Sequence, residues 1–285
     1  MNAEATLLAG FTTIRSAGSN DRIDVALKRA IERGAAIGPH ITPAGYQISM
    51  TGGHGDNVGF PEGVFELGPK QGVADGGDQF LFAVRYQIKH GSEVIKLTAT
   101  AGVLGEERTA DARQFSDQEL QAIVDEAKRH GLRVLPHAHG TEGIIAAIKA
   151  GVASIEHGSM LDAEGIRLMK ERGTYPVPTL YIAQPVSGTR EGKSAHTVAK
   201  GEAMSAAMSV SFRNALAAGV KMARQTRRHH RGARQSTRRH PRAGASGVRD
   251  ERRHCLQVLR ADITAATAAS ASAAPVKNAA AGDTC

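Results

Sequence analysis

The sequence predicts an α/β fold, an incomplete (β/α)8 barrel, over residues 1–223. Short apolar strands alternate with amphipathic helices there, which is typical of parallel sheets built from βα units. Seven such strands can be identified, and the chain of 285 residues exceeds the roughly 250 that a barrel of this kind needs. Because a complete barrel has eight units, the pattern is one strand short at its beginning and one helix short at its end.

The predicted elements follow one another at regular intervals along the chain. The strands are predicted at residues 12–15, 40–43, 94–97, 134–137, 154–157, 176–180 and 220–223. The helices are predicted at residues 21–33, 79–90, 116–131, 141–150, 162–172 and 194–218. Asp21 is expected to cap the first of these helices, and Ser116 with Glu119 has the pattern of a capping box. The glycine-rich segment 51–77 is too long for a plain connector, which predicts a functional loop.

The composition changes abruptly after Ala223. Residues 224–285 contain 13 Lys and Arg against 4 Asp and Glu, and they include both cysteines but no Phe or Tyr. Residues 224–254 are rich in Arg and His, and residues 261–285 contain 11 alanines. Neither stretch has a periodic apolar face, so we expect a disordered, basic and alanine-rich tail outside the fold.

Composition and charge also bear on the classes of function. No apolar run reaches the roughly 18 residues of a membrane span, and the first residues lack a signal-peptide pattern, so we expect a cytoplasmic protein without membrane contact. The net charge of +8 lies entirely in the tail. We therefore expect no specific nucleic-acid partner. Homo-oligomerisation is compatible with the sequence but not required by it.

Three predicted strands end in a residue that can bind a metal ion. These residues are Lys96, His137 and His157, spaced by 41 and 20 residues. Both spacings fit one or two βα units, and a barrel presents its strand ends at one rim. Taken singly, each residue is more often a surface lysine or a hydrogen-bonded histidine. Their placement at successive strand ends favours a common site.

Several segments together resemble the amidohydrolase superfamily, and within it the imidazolonepropionase-like and Xaa-Pro dipeptidase group. The resemblance covers residues 1–223 nearly continuously. It is carried by the segments Leu7-Leu8-Ala9-Gly10-Phe11-Thr12-Thr13-Ile14-Arg15, Thr51-Gly52-Gly53-His54-Gly55-Asp56, Val94-Ile95-Lys96-Leu97, His137-Ala138-His139-Gly140 and Ser154-Ile155-Glu156-His157-Gly158.

The resemblance implies a hydrolase of C–N bonds with two divalent metal ions, usually zinc. Lys96 would be carboxylated and would bridge the ions as a catalytic group, and His137 and His157 would bind one of them. His54 and His139 are expected to contact a small-molecule or dipeptide substrate. An alternative is that His139, rather than His137, is the ligand; we prefer His137 because it lies closer to the strand.

The sequence departs from the family pattern at two places. The family has a His-x-His pair on the first barrel strand and an Asp in a Gly-Thr-Asp segment on the last. Residues 1–223 supply neither, and Arg224-Gln225-Thr226 stands after the last predicted strand. We hypothesise truncation at the front and a reading-frame change near residue 223, and we expect hydrolase activity to be impaired.

Two other functions are compatible with parts of the sequence. The Arg-rich run at 224–254 could bind nucleic acid through salt-dependent phosphate contacts, although no aromatic residues accompany the arginines. Lys96 could instead be the Schiff-base amine of a non-metal barrel lyase. That chemistry requires neither the strand-end histidines nor the loop that carries His54.

Overall fold

Parallel strands alternate with helices through the part of the chain that the computed structural model describes, residues 2–105, 107–180 and 195–223. The strands are β1 (Thr13–Arg15), β2 (His40–Thr42), β3 (Val94–Thr98), β4 (Arg133–Ala138), β5 (Ser154–His157) and β6 (Tyr175–Val177). The helices are α1 (Asn2–Leu8), α2 (Ile23–Glu32), α3 (Gly77–Lys89), α4 (Asp117–Arg129), α5 (Thr141–Ala150), α6 (Ala163–Arg172) and α7 (Ala195–Ala217).

The strands follow chain order, and every pairing is parallel. β1 pairs with β2, and β3 to β6 form one four-stranded sheet in the order β3-β4-β5-β6. Beyond β2, Ile48 forms a parallel bridge with Leu97 and so connects the first pair to β3. This arrangement, with helices in the crossovers, is the predicted α/β fold and corresponds to part of a (β/α)8 barrel.

The two faces of β3 and β4 serve different purposes. Ile95, Leu97 and Val134 pack against the helices in the main apolar cluster. On the opposite face, Val94 and Leu135 form a small cluster with Ala44. Because side chains alternate along a strand, Lys96 shares the inner face with Val94. β3 therefore directs the buried amine of Lys96 towards the interior of the barrel.

The predicted helix α4 begins as expected. The Ser116 hydroxyl accepts a hydrogen bond from the Glu119 amide at 3.2 Å, and the Glu119 carboxylate accepts one from the Ser116 amide at 2.9 Å. These reciprocal bonds are the predicted capping box, which satisfies amides that the first turn leaves unpaired.

Three details of the prediction were wrong. Asp21 does not cap α2, because it lies in a 3₁₀ turn with φ of 51° and its carboxylate accepts instead from the Tyr46 hydroxyl. Residues 220–223 form no strand, although the Ala223 amide donates a hydrogen bond to the Pro176 carbonyl of β6. β6 itself ends at Val177 and does not extend to residue 180. The predictions for the tail at 224–285 lie outside the described residues.

Glu126 on α4 is the centre of a buried ion-pair cluster, which allows a stability prediction. Its carboxylate is 1% exposed and accepts from Arg85 at 2.6 Å, from Arg129 at 2.6 Å and from His130 at 3.2 Å. The hydrogen bond from Arg85 is the main reason that the pKa of Glu126 falls to about 2. The carboxylate is therefore charged in the folded protein at every pH above about 2.

We expect Glu126→Gln to lower the free energy of unfolding by about 1–2 kcal/mol at pH 7, a modest figure because the arginines are exposed. A depressed pKa contributes stability above the unfolded value near 4.5, and that contribution is lost as the pH falls towards 2. The difference in unfolding free energy between wild type and Glu126→Gln, measured from urea unfolding curves, should therefore shrink as the pH is lowered from 5 to 3. Glu171→Gln, at an exposed carboxylate, is the control; equal effects of both variants would contradict the prediction.

Candidate metal centre

The ends of β4 and β5 bring three histidines together. Nitrogen atoms of His137, His139 and His157 all lie within 4.8 Å of one another. Ring centroids are 4.6 Å apart for His137 and His139, 4.6 Å for His137 and His157, and 4.9 Å for His139 and His157. Among the described residues this is the group of His, Cys, Asp or Glu side chains that could hold a metal ion.

The position of His157 depends on an unusual backbone conformation. Within the ladder, His137 pairs with Glu156, and His157 pairs with Ala138, whose side chain packs among the helices. Regular alternation would direct His157 towards the helices as well. Its φ of 73° lies in the left-handed region, which few residues other than glycine adopt. This turn of the chain carries the imidazole to the other histidines, and such strain is typical of functional sites.

Each of the three imidazoles has one nitrogen held by a hydrogen bond. His137 Nε2 donates to the Ala101 carbonyl at 3.1 Å. His139 Nδ1 lies 2.7 Å from the Ser159 hydroxyl, and His157 Nδ1 lies 2.8 Å from the Thr179 hydroxyl. Because a carbonyl only accepts, the proton of neutral His137 is on Nε2 and its lone pair is on Nδ1. Metal-binding histidines have this pattern, in which one nitrogen is oriented by a neighbour.

Burial keeps the imidazoles of His137 and His139 neutral. The pKa of His137 is well below its ordinary value, mainly because the ring is buried and secondly because His157 and His139 are close. Burial also lowers the pKa of His139 to about 4, with the charges of His54 and Lys96 acting in the same direction. A neutral imidazole is the form that binds metal ions.

Lys96 lies beside this histidine cluster. Its side chain is 4% exposed, and burial lowers its pKa to about 8 although the carboxylate of Glu156 opposes the shift. The amine interacts electrostatically with His54, His137 and His139. The structure thus places Lys96 near the predicted ligands, and all five residues predicted for the site lie in one region.

Sequence reasoning missed the carboxylate in the barrel interior. Glu156 is 2% exposed and accepts from Arg15 at 2.6 Å and from the Ser154 hydroxyl at 2.8 Å. Arg15 also donates to the Ser154 hydroxyl at 3.0 Å. Glu156 belongs to the segment that carries the family resemblance, but its inward direction follows from the strand register, which pairs it with His137. Its charge balances the cations of Arg15 and Lys96.

His54 reaches the cluster from the long glycine-rich loop. Its ring stacks on His137 with centroids 4.3 Å apart, and its Nδ1 is 3.8 Å from a carboxylate oxygen of Glu107. The loop is held in place by bonds from the His54 amide to the Gln114 side chain and from the Gly55 amide to the Ser49 hydroxyl. Burial lowers the pKa of His54, and Glu107 partly opposes this.

Gly102 allows the His54 ring to lie where it does, and this leads to a prediction. A Cβ added at Gly102 would be 1.9 Å from Cε1 of His54, so Gly102→Ala must displace the ring. We expect the His54 side-chain signals to shift in NMR spectra of histidine-labelled protein, with a loss of about 1–2 kcal/mol in unfolding free energy. Gly68→Ala, where an added Cβ meets no atom within 4 Å, is the control. Unchanged His54 signals in Gly102→Ala would contradict this packing.

Comparison with known proteins agrees with this geometry. The profile described as "Amidohydrolase family" matches residues 2–270. The chain belongs to the amidohydrolase family. The match begins at the first described helix and extends past residue 223, where the composition changes.

Similar proteins include hydrolases of the prolidase-like group. The sequence is 36% identical over 209 residues to ochratoxinase from Aspergillus niger, covering 68% of this chain and 44% of that protein. A crystal structure of a Xaa-Pro dipeptidase with bound methionine superposes with a TM-score of 0.74 at 39% identity, covering 78% of this chain and 56% of that one. The crystal structure of the A. niger ochratoxinase has a TM-score of 0.70 at 34% identity, covering 79% and 54%.

This amidohydrolase chain thus spans about half the length of the relatives that it matches. A further similar structure, with a TM-score of 0.68 at 34% identity and coverage of 77% and 55%, is a prolidase complexed with N-methylphosphonate-L-proline. Within the described residues, no helix has the length and apolar character that crossing a membrane requires.

Proposed function

We propose that this chain is a metal-dependent amidohydrolase that cleaves a C–N bond, and that Lys96, His137 and His157 hold its divalent ions. The observation that carries the proposal is the meeting of three imidazoles, two of them buried and neutral, beside the buried amine of Lys96 on the parallel sheet. Nitrogen ligands of this kind suit zinc. Bound divalent ions would lower the pKa of water and polarise the amide carbonyl.

The residues present fit such ions in two respects. The lone pair of His137 is on Nδ1 because Nε2 donates to a carbonyl, so the ring is already in one tautomer. The amine of Lys96 is buried beside the imidazoles, and burial favours its neutral form. A neutral amine can add to CO2 and lose a proton, which gives the carbamate that the proposal assigns to Lys96.

Two further histidines would contact the substrate. His139 is held through Nδ1 by Ser159, which fixes its ring plane next to the proposed ligands. At neutral pH its imidazole is uncharged, so it can exchange a hydrogen bond or a proton with a polar group of the substrate. His54 lies over His137, where it would help to exclude water from the reacting groups.

The relatives support the proposed substrate class. A Xaa-Pro dipeptidase and a prolidase bound to a phosphonate of proline are both about as similar to this chain as the ochratoxinase is. We therefore propose a dipeptide with a C-terminal proline, or a comparable amide of a small carboxylic acid, as the substrate. Zinc is the proposed metal.

The test is an assay of the purified full chain, loaded with zinc, on a set of Xaa-Pro dipeptides. Because residues 1–223 lack a first-strand His-x-His pair and a last-strand Asp, we propose that hydrolysis is slow. It should disappear on chelation and in Lys96→Met. Hydrolysis that survives chelation would contradict the metal-dependent reaction, and rapid hydrolysis at full zinc occupancy would contradict the proposed impairment.

The Schiff-base alternative is less well supported. A lyase of that kind would use Lys96 alone, whereas the three oriented imidazoles would have no role in it. Treatment with borohydride and a carbonyl compound would trap Lys96 covalently if that alternative were correct. The nucleic-acid alternative depends on the basic run at 224–254, which lies outside the described residues.

A further inference from the structure

Lys200 on α7 is a buried cation whose ammonium group donates, among the described residues, to three backbone carbonyls. The residue is 7% exposed, although lysine is rarely buried. Its Nζ donates to the carbonyls of Gly105 at 2.7 Å, Glu107 at 2.9 Å and Gly102 at 3.3 Å. An ammonium has three hydrogens, so these contacts can satisfy all of them and offset the cost of burial.

The three carbonyls belong to one short segment, the cover loop (residues 101–105 and 107). This loop touches the candidate metal centre at two points. The carbonyl of Ala101 accepts from His137 Nε2, and Gly102 packs directly against the ring of His54. The two rings also stack on each other. The orientation of both imidazoles therefore depends on the path of the cover loop.

We propose that Lys200 is a positioning residue that holds the cover loop against His54 and His137. Without the ammonium, three carbonyls that point towards it lose their partner, whereas the bonds from the Ala101 amide to the Ala112 carbonyl and from Gln114 to the Glu107 carboxylate lie at the two ends of the loop. The loop would then relax, and the carbonyl that orients His137 would move. The part of this inference that concerns metal binding rests on the proposed function; the part that concerns the two rings does not.

The first experiment needs neither metal nor substrate. In the metal-free full chain, the rate at which diethyl pyrocarbonate modifies His54 is measured by peptide mass spectrometry. The His54 side chain is 21% exposed under the loop. We expect Lys200→Met to raise that rate roughly tenfold through local opening, while the unfolding temperature changes little. Lys170→Met, which removes an exposed lysine from α6, should leave the rate unchanged.

The second experiment restores the missing cation. Lys200→Ala leaves a space that matches n-propylammonium, and n-propanol has the same length without the charge. Zinc affinity is measured by competition with a chelator. We expect Lys200→Ala to weaken binding by about 10–100-fold, the usual effect of losing a group that orients a ligand. Propylammonium should recover most of the loss, and propanol should not.

The outcomes separate the two proposals. If zinc binds to wild type but neither His54 modification nor zinc affinity changes in the Lys200 variants, the positioning role is wrong and the proposed function stands. If wild type binds no zinc, the proposed function fails, and His54 modification alone decides the role of Lys200. Recovery by propanol as well as propylammonium would show that the side chain only fills space.

Discussion

His137→Ala is expected to weaken zinc binding by about 100-fold or more. Loss of a group that merely orients a ligand costs about 10–100-fold, and loss of the ligand itself should cost at least as much. The ring also stacks on His54 and contacts both other histidines, so no neighbour can replace it without moving. Competition with a chelator at neutral pH measures the effect.

Two other histidine variants make this prediction specific. His139→Ala should have a smaller effect, because we assign His139 to the substrate rather than to the metal. His196→Ala, at an exposed position on α7, should have none. If His139→Ala weakened zinc binding more than His137→Ala, the assignment of the two residues would have to be exchanged.

Glu156→Ala is expected to lower the free energy of unfolding by about 3 kcal/mol. The carboxylate is almost completely buried between Arg15, Ser154 and the amine of Lys96. Removing it leaves the Arg15 guanidinium without a counter-charge and forces the buried Lys96 amine either to stay unpaired or to lose its proton, and unpaired buried charges are among the most costly defects. The estimate is at the low end for a buried pair because Arg15 is 31% exposed. Urea unfolding at neutral pH measures the loss.

A second substitution tests the reason for that loss. Lys96→Met in the Glu156→Ala background removes one of the uncompensated cations, so the double variant should be more stable than Glu156→Ala alone. Glu156→Gln, which keeps the shape of the side chain, provides a milder variant if Glu156→Ala does not fold. A double variant less stable than Glu156→Ala would show that packing, rather than charge, determines the effect.

The repetitive part of the fold could be predicted from sequence because its signals are local. The alternation of strands and helices, the capping box at Ser116 and the strands that carry Lys96 and His137 are each indicated by a few neighbouring residues, although β3 continues past Lys96 to Thr98. Helix α1 was not predicted; it buries no residue and so has no apolar face to reveal it.

The parts of the site that were missed depend on contacts between distant segments. His157 was predicted for the site, but the left-handed backbone turn that brings its ring to the cluster was not. The bond from Arg15 to Glu156 joins β1 to β5, and the bonds from Lys200 join α7 to a loop about 95 residues earlier in the chain. Such partners become visible only when the order and register of the strands are known.

The most direct test of the central claim is the location of the metal itself. Crystals of the full chain grown with zinc would give an anomalous difference map at the zinc absorption edge. We predict a peak within coordination distance of nitrogen atoms of His137 and His157, on the side of the cluster that faces Lys96. A map with no peak there, or with zinc bound only elsewhere on the chain, would contradict the assignment of these residues as a metal centre.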